Sequence, residues 1–449
     1  MPLLQFLRCF YSIVLAGIVL CGAGCATKQV NRAYEEALAH RSSPPALASD
    51  AEVPPGPPYQ LMLVLDRTFL ERMVTKALKE NLLEGVEFSL PGYTPPGGTG
   101  PLPRGGGFFA RRLRGMGRSL LESLSPGVRL EDVALAFEGV CADCLQLRLG
   151  VWTGFQNEDG SPGPGLRGFM TLGGRIEVAG RERTSLSVVF ERLDTLHLRA
   201  SADLPPMIRG LLPTFEEALT LLARDLLEKH WDRLRFDIPV AEKVTLGYGV
   251  RVRRVGARGN PKGRLIIGMN TSLPAVPRLD LGDEFPLEER DWAVVTGEAV
   301  VNDLARLAIE AGRIPTRFDR RGRPDPEGKA FLFLDDIHFE PSAFRMSLRI
   351  YYRGFPAWWR RFQAKGHFEV DNRQLVMHLD ALTPEEGGGA AWAGRFVQRR
   401  VMAERSIHAL GRIIPSEVPI PGSAEALKPV LKGVGLQSGA IVLMGDIED

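Results

Sequence analysis

Two stretches of this chain open in the same way, and that repetition constrains the fold more than any other feature. Residues 61 to 78 read LMLVLDRTFLERMVTKAL; residues 292 to 309 read WAVVTGEAVVNDLARLAI. They share few residues but place apolar ones alike. Phe69, Leu70, Met73, Val74, Ala77 and Leu78 fall opposite Val300, Val301, Leu304, Ala305, Ala308 and Ile309. A spacing of i, i+1, i+4, i+5 gives a wide apolar stripe along a helix, and the apolar run before it suits a buried strand. The pattern predicts a strand feeding a helix, twice.

The agreement continues downstream. Leu145, Leu147, Leu149 and Val151 alternate with Gln146, Arg148, Gly150 and Trp152, as Phe344, Met346, Leu348 and Ile350 alternate with Arg345, Ser347, Arg349 and Tyr351. Such alternation predicts antiparallel strands with one buried face and one wet face. LEDV at 130 to 133 stands against LDDI at 334 to 337, and GRIEV at 174 to 178 against GHFEV at 366 to 370. Each copy then predicts a second amphipathic helix. Phe215, Ala218, Leu219, Leu222, Ala223, Leu226 and Leu227 stripe the first; Phe396, Val397, Val401, Ile407 and Leu410 mark a weaker second. DIPV at 237 to 240 matches EVPI at 417 to 420, and RLIIGM at 264 to 269 matches AIVLMG at 440 to 445.

This order reads as a tandem duplication. Residues 59–271 and 291–449 are the expected domains, joined by a Pro- and acid-rich linker at 272–290. The expected class is α+β, each domain a strongly twisted antiparallel sheet packed on long amphipathic helices. A chain of 449 residues, 44% hydrophobic and 24% charged, has the material for two such cores. Its net charge of +2 selects no polyanionic partner.

The first residues read as an export signal. CFYSIVLAGIVL is apolar but too short to span a bilayer. Gly22, Ala23, Gly24 and Cys25 resemble a bacterial lipobox, so residues 1–24 are expected to be a lipoprotein signal peptide and Cys25 the acylated residue. An ordinary secretory signal is the alternative. The lipobox resemblance, with Ala26 following, implies an outer-membrane lipoprotein facing the periplasm. Residues 25–58 include RSSPPALASDAEVPPGPP and are expected to form a lipidated flexible tether. No nucleic acid is expected to meet an exported chain.

The duplicated order about a Pro-containing linker, with phrases such as DWAVVTGEAVVNDLARLAIEAG and DIPV/EVPI, resembles the tubular lipid-binding superfamily. The likeness is to bactericidal/permeability-increasing protein and its lipid-transfer relatives, and it covers residues 59–449. It implies that each domain wraps a sheet around a long helix and keeps an elongated apolar cavity for acyl chains. The linings of that family are unspecialised, so no signature residues carry over. Leu70, Met73, Val74, Leu222, Leu226, Val301, Leu304, Met346 and Leu348 are the apolar positions expected to line the interior. Side chains filling that interior are the competing reading. The expected partners are phospholipid or another acyl lipid, and the membrane through the anchor. A scaffolding lipoprotein with a filled core would act instead through an envelope protein.

Two segments mix aromatic rings with arginine, a composition suited to a bilayer interface. One is GFPAWWRRF, with Phe355, Trp358, Trp359, Arg360, Arg361 and Phe362; the other is FFARRLRGMG, with Phe108, Phe109, Arg111 and Arg112. The bland alternatives are a hairpin whose tryptophans fold onto the core, the commoner fate, and a solvated loop. Cys141 and Cys144 in VCADCLQL have no zinc-ligand residues at suitable spacing, and Cys144 enters an alternating strand. A small structural disulfide is therefore preferred over zinc or redox chemistry. G-x-S-x-G, H-E-x-x-H and P-loop motifs are lacking, and the seven histidines are scattered. Asp335 and Asp336, adjacent on a strand, point to opposite faces. Neither enzyme activity nor a cofactor or metal is expected.

Overall fold

The computed structural model describes residues 23–39, 47, 58–81, 127–137, 143–156, 162–179, 185–200, 235–238, 248–280, 290–319, 324–354, 357–389, 406–407, 418–419 and 426–448. Among them the helices are α1 (Ala23–Ala39), α2 (Arg67–Asn81) and α3 (Glu298–Glu310). The first copy holds strands β1 (Leu61–Leu65), β2 (Gly127–Phe137), β3 (Cys144–Gln156), β4 (Pro162–Ala179), β5 (Ser185–Ala200), β6 (Arg235–Ile238), β7 (Val252–Asn260) and β8 (Arg264–Thr271). The second holds β9 (Trp292–Gly297), β10 (Arg317–Phe318), β11 (Ala330–Glu340), β12 (Ala343–Tyr352), β13 (Trp358–Asp371) and β14 (Gln374–Gly389). It continues with β15 (Ser406–Ile407), β16 (Val418–Pro419), β17 (Ala426–Gln437) and β18 (Ala440–Glu448).

Three antiparallel sheets result. Strands β2 to β6 form one and β10 to β15 another, each in sequence order, while a seven-stranded sheet runs β16-β17-β18-β9-β1-β8-β7. The central sheet thus takes strands from both sides of the 272–290 stretch. The two opening runs lie side by side in it: Leu63 faces Val294, with Leu61 on Thr296 and Leu65 on Trp292. Matched positions of the repeat exchange places across this pair, which puts a local two-fold axis at Leu63 and Val294. The RLIIGM and AIVLMG strands take equivalent places, Met269 against Leu61 and Gly445 against Trp292. These strands are apolar on both faces because both are covered. Met62, Ala293 and Val295 are wholly buried on one side; Leu61, Ile267, Trp292 and Leu443 join the main core on the other.

LEDV and LDDI each carry a β-bulge, between Leu130 and Val133 and between Leu334 and Asp336. The helices also begin at matched positions, Arg67 and Glu298, directly after their strands. Asp66 starts α2, its Oδ1 accepting from the Thr68 N–H at 3.0 Å and the Thr68 hydroxyl at 2.9 Å. The sequence AGRIP stops α3. Gly312 lies at φ +67°, its N–H reaches the Ile309 carbonyl at 3.1 Å, and the Arg313 N–H reaches that of Ala308 at 2.9 Å. This is a Schellman cap, which a left-handed glycine permits at little cost.

The expected sheet packed on long amphipathic helices is overturned. Strand dominates the described residues, and α2 and α3 are only 15 and 13 residues long. The alternating segments instead extend into long strands, 18 residues in β4 and 16 in β5 and β14. Ile407, read as helical, pairs with Met377 as a strand. DIPV and EVPI also part company: β6 borders β5, whereas β16 borders β17 in the central sheet. The matching partner of β6 is β15, since Phe236 sits on Val188 as Ile407 sits on Met377. The helix expected at 215–227 lies outside the described residues.

The flexible tether expected over 25–58 is corrected for its first part. Helix α1 docks on the six-stranded sheet, with Val30 and Ala37 buried. Tyr34 packs its ring 4.6 Å from Phe331 and 5.7 Å from Tyr351, under the Arg353 guanidinium at 4.7 Å. Arg353 Nε also donates to Asn31 Oδ1 at 2.9 Å. Polar spacing along RSSPPALASD hid this contact because the helix precedes it, at ATKQVNRAYEEALA. The start of the linker is likewise pinned. Buried Gln60 donates from Nε2 to the carbonyls of Leu273 and Ala275, at 2.9 and 2.6 Å, and accepts at Oε1 from Thr271 N–H and hydroxyl.

Candidate functional site

One apolar core runs through both copies, from Leu61, Phe69 and Leu147 to Val300, Phe344 and Leu443. Its helices contribute graded positions. On α2, Phe69 and Leu70 are buried while Met73 and Val74 stay half-buried. On α3, Val300, Leu307 and Ala308 are buried while Val301 and Leu304 stay half-buried. The strands facing them repeat the gradient, with Leu63, Met170, Val294, Ile337, Met346 and Met377 packed against the core yet partly exposed. Of the expected lining, Met73, Val74, Val301, Leu304 and Met346 therefore lie on an unsealed apolar face. Leu70 is buried within that core; Leu348 is buried too, but is not among the residues of this core. Leu222 and Leu226 lie outside the described residues.

Polar hooks, rather than sealed packing, tie the helices to their sheets. Glu71 Oε1 accepts from the Leu135 N–H at 2.7 Å. At the matched position Asn302 accepts from the Ile337 N–H and donates to the Ile337 carbonyl, both at 2.8 Å. Asp303 sits buried on α3 at 7% exposure. Burial pushes its carboxyl above the usual range, against the opposing pull of Arg306 and of a backbone hydrogen bond from Ala275.

The membrane-contact reading of GFPAWWRRF is corrected for Trp358 and Phe362. They form the start of β13, and Trp358 at 1% and Phe362 at 0% exposure are core residues. Trp359 stacks on Tyr351, centroids 5.8 Å apart, beside the docked α1. Half-buried Arg361 is held near Asp335, Glu385 and Glu386, between 3.5 and 3.8 Å, and Arg360 is half-buried too. Aromatic–arginine composition does not distinguish a headgroup belt from a strand whose alternate residues meet core and ion pairs. Phe355 lies outside the described residues, as do Phe108, Phe109, Arg111 and Arg112. Cys144 is disulfide-bonded; Cys141 is outside the described residues. Cys25 falls within the first turn of α1. Asp335 pairs with Arg349 and Asp336 with His338, so the two acids serve separate partners.

One cluster escaped the sequence reading. His367, Glu369 and His378 bring one donor atom each within 4.8 Å of one another, on the β13–β14 hairpin. The scatter of histidines along the chain concealed it, although DNRQ marks a two-residue turn from which the pairing of His367 with His378 can be counted.

No protein-family model matches this chain, and no curated protein matches it. Among solved structures it is similar to P47 from Clostridium botulinum A2, at 8% identity and a TM-score of 0.42 over 86% of this chain and 97% of that one. It is similar to P47 of Clostridium botulinum E1 at 8% identity and 0.43, over 87% and 99%. It is also similar to a lipopolysaccharide binding protein at 9% identity and 0.37, over 87% and 99%.

Proposed function

We propose that this protein binds acyl lipid on the apolar face that runs through its two copies, and that it does so as a periplasm-facing lipoprotein anchored in the outer membrane. The observation that supports this reading is the half-exposure of Met73, Val74, Val301, Leu304 and Met346 against one continuous core. Native interiors are close-packed, and a fully self-filled layer would bury these side chains as it buries Leu70 and Phe344. An acyl chain laid on them recovers about 0.8 kcal/mol per methylene removed from water. Methionines at two of these positions, Met73 and Met346, suit a ligand of variable chain length, since the thioether is flexible and polarizable. The resemblance to the tubular lipid-binding superfamily agrees with this use of the interior. The reading is of a carrier or shield for acyl chains, not of an enzyme.

The test is native mass spectrometry of residues 26–449 purified from a periplasmic host without detergent, followed by organic extraction. Stoichiometric phospholipid or lipid A, lost in Leu304→Arg, is the expected result. A clean apo mass in repeated preparations, with no uptake from labelled vesicles, would sink the reading in favour of a filled-core scaffold.

A further inference from the structure

The hairpin between β13 and β14 turns through Asn372 and Arg373, both at positive φ, between paired Asp371 and Gln374. A two-residue turn with both residues left-handed fixes strand register. That register lays His367 directly opposite His378, with Glu369 two residues along on the same face. The imidazoles stack with centroids 5.0 Å apart and 9° between planes. Phe368 between them turns the other way onto Phe344, so the histidines occupy the face opposite the apolar core. His378 Nε2 stands 3.2 Å from Glu369 Oε2. His367 Nδ1 stands 2.9 Å from Oδ2 of Asp380, the extra residue at a β-bulge where Lys365 pairs with Ala381 but Gly366 with Leu379.

The first copy holds the same arrangement with a different cation. GRIEV matches GHFEV, so Arg175 stands at the position of His367 and Glu177 at that of Glu369. The β4–β5 ladder bulges at Glu191 as β13–β14 bulges at Asp380, since Gly173 pairs with Arg192 but Gly174 with Phe190. There the Arg175 guanidinium bridges both acids, 2.6 Å from Glu177 and 2.8 Å from Glu191. In the second copy both acids remain, the arginine has become histidine, and a second histidine stands where the first copy has Val189. A permanent cation has been exchanged for two imidazoles.

We propose that His367, Glu369 and His378 bind a divalent transition cation of the zinc class, which takes the place of the Arg175 guanidinium, with Asp380 orienting His367 from behind. The Asp380 carboxylate can only accept, so it holds the proton on His367 Nδ1 and leaves Nε2 with its lone pair for the metal; the stacked rings turn about Cβ–Cγ on binding so that both lone pairs meet the ion. Zinc–donor bonds of about 2.0–2.1 Å at tetrahedral angles separate neighbouring donors by about 3.3 Å, close to the spacing of His378 Nε2 and Glu369. Two imidazoles and one carboxylate favour zinc, copper, nickel or cobalt over calcium and magnesium. Coordination requires His378 to present a lone pair, not a proton, at Nε2. The fourth position is left to water or to a donor from a partner.

The experiment uses the purified full chain, stripped with a chelator and then titrated calorimetrically with zinc ion; cobalt ion serves as the spectroscopic probe. One zinc per chain is expected, with a cobalt d–d band of tetrahedral intensity. His378→Ala should lower affinity at least a hundredfold, Asp380→Asn between about ten- and a hundredfold, and His338→Ala not at all. Zinc should raise the melting temperature of the wild type and leave that of His378→Ala unmoved. Should the histidine variants fail to fold, Asp380→Asn carries the test, because it removes no ring from the sheet. Absence of saturable zinc binding, or binding that survives both His378→Ala and Asp380→Asn unchanged, overturns the proposal. Neither result bears on lipid retention, which is read separately.

Discussion

Asp303 illustrates how a single side chain can oppose the fold around it. Its buried carboxyl holds a proton more tightly folded than unfolded, so the folded state binds more protons above the ordinary value of 3.8. Stability contributed at low pH is therefore lost as pH rises from that value to the raised one. Asp303→Asn is expected to melt at a higher temperature than the wild type at pH 7, and the gap should close as the pH falls below the ordinary value. Scanning calorimetry across pH checks this, and an unchanged gap at low pH would assign the effect to packing instead. At this scale the sequence was informative about which positions are apolar and silent about which are sealed. Met346 and Leu348 stand in one alternating run, yet one is half-exposed and the other buried. Trp358 misled for the same reason, since an interface anchor and a core residue have one composition.

Among the elements, strands were the most legible. Period-two alternation identified β3 and β12, and the matched bulges fell inside the matched phrases LEDV and LDDI. Helix extent was less so, because apolar spacing says where a stripe starts and local capping says where it stops. The α3 helix ends where Gly312 can turn left-handed, well short of a long core helix. What then holds α3 to β11 is Asn302, which satisfies both backbone groups of Ile337. Asn302→Ala leaves a half-buried N–H and carbonyl without their partner, at a cost of about 1 kcal/mol. Urea unfolding should register that loss with the m-value unchanged; no loss would mean that water takes over both groups. Helix α1 was missed altogether, because the Pro- and Ser-rich stretch after it made the whole of 25–58 read as a tether, and a short helix does not say which sheet receives it.

For the whole molecule, the repeated order of elements was readable in the sequence, whereas the pairing of the two copies was not. The copies meet strand to strand, β1 on β9, within one central sheet. That meeting is its own mirror in register, because Leu63 faces Val294, its counterpart in the repeat. Each half therefore ends in an edge shaped to receive another of itself. Residues 291–449 produced alone are expected to assemble as a two-fold dimer through β9, with Val294 facing Val294, and light scattering should return twice the half-chain mass. A monomer would show that β1 supplies something β9 cannot. In architecture the protein is a two-fold pair of halves joined in one chain. Two unlike halves in one chain need not match each other, so one holds an arginine bridge while the other holds a histidine pair, a division of labour that two identical chains could not hold.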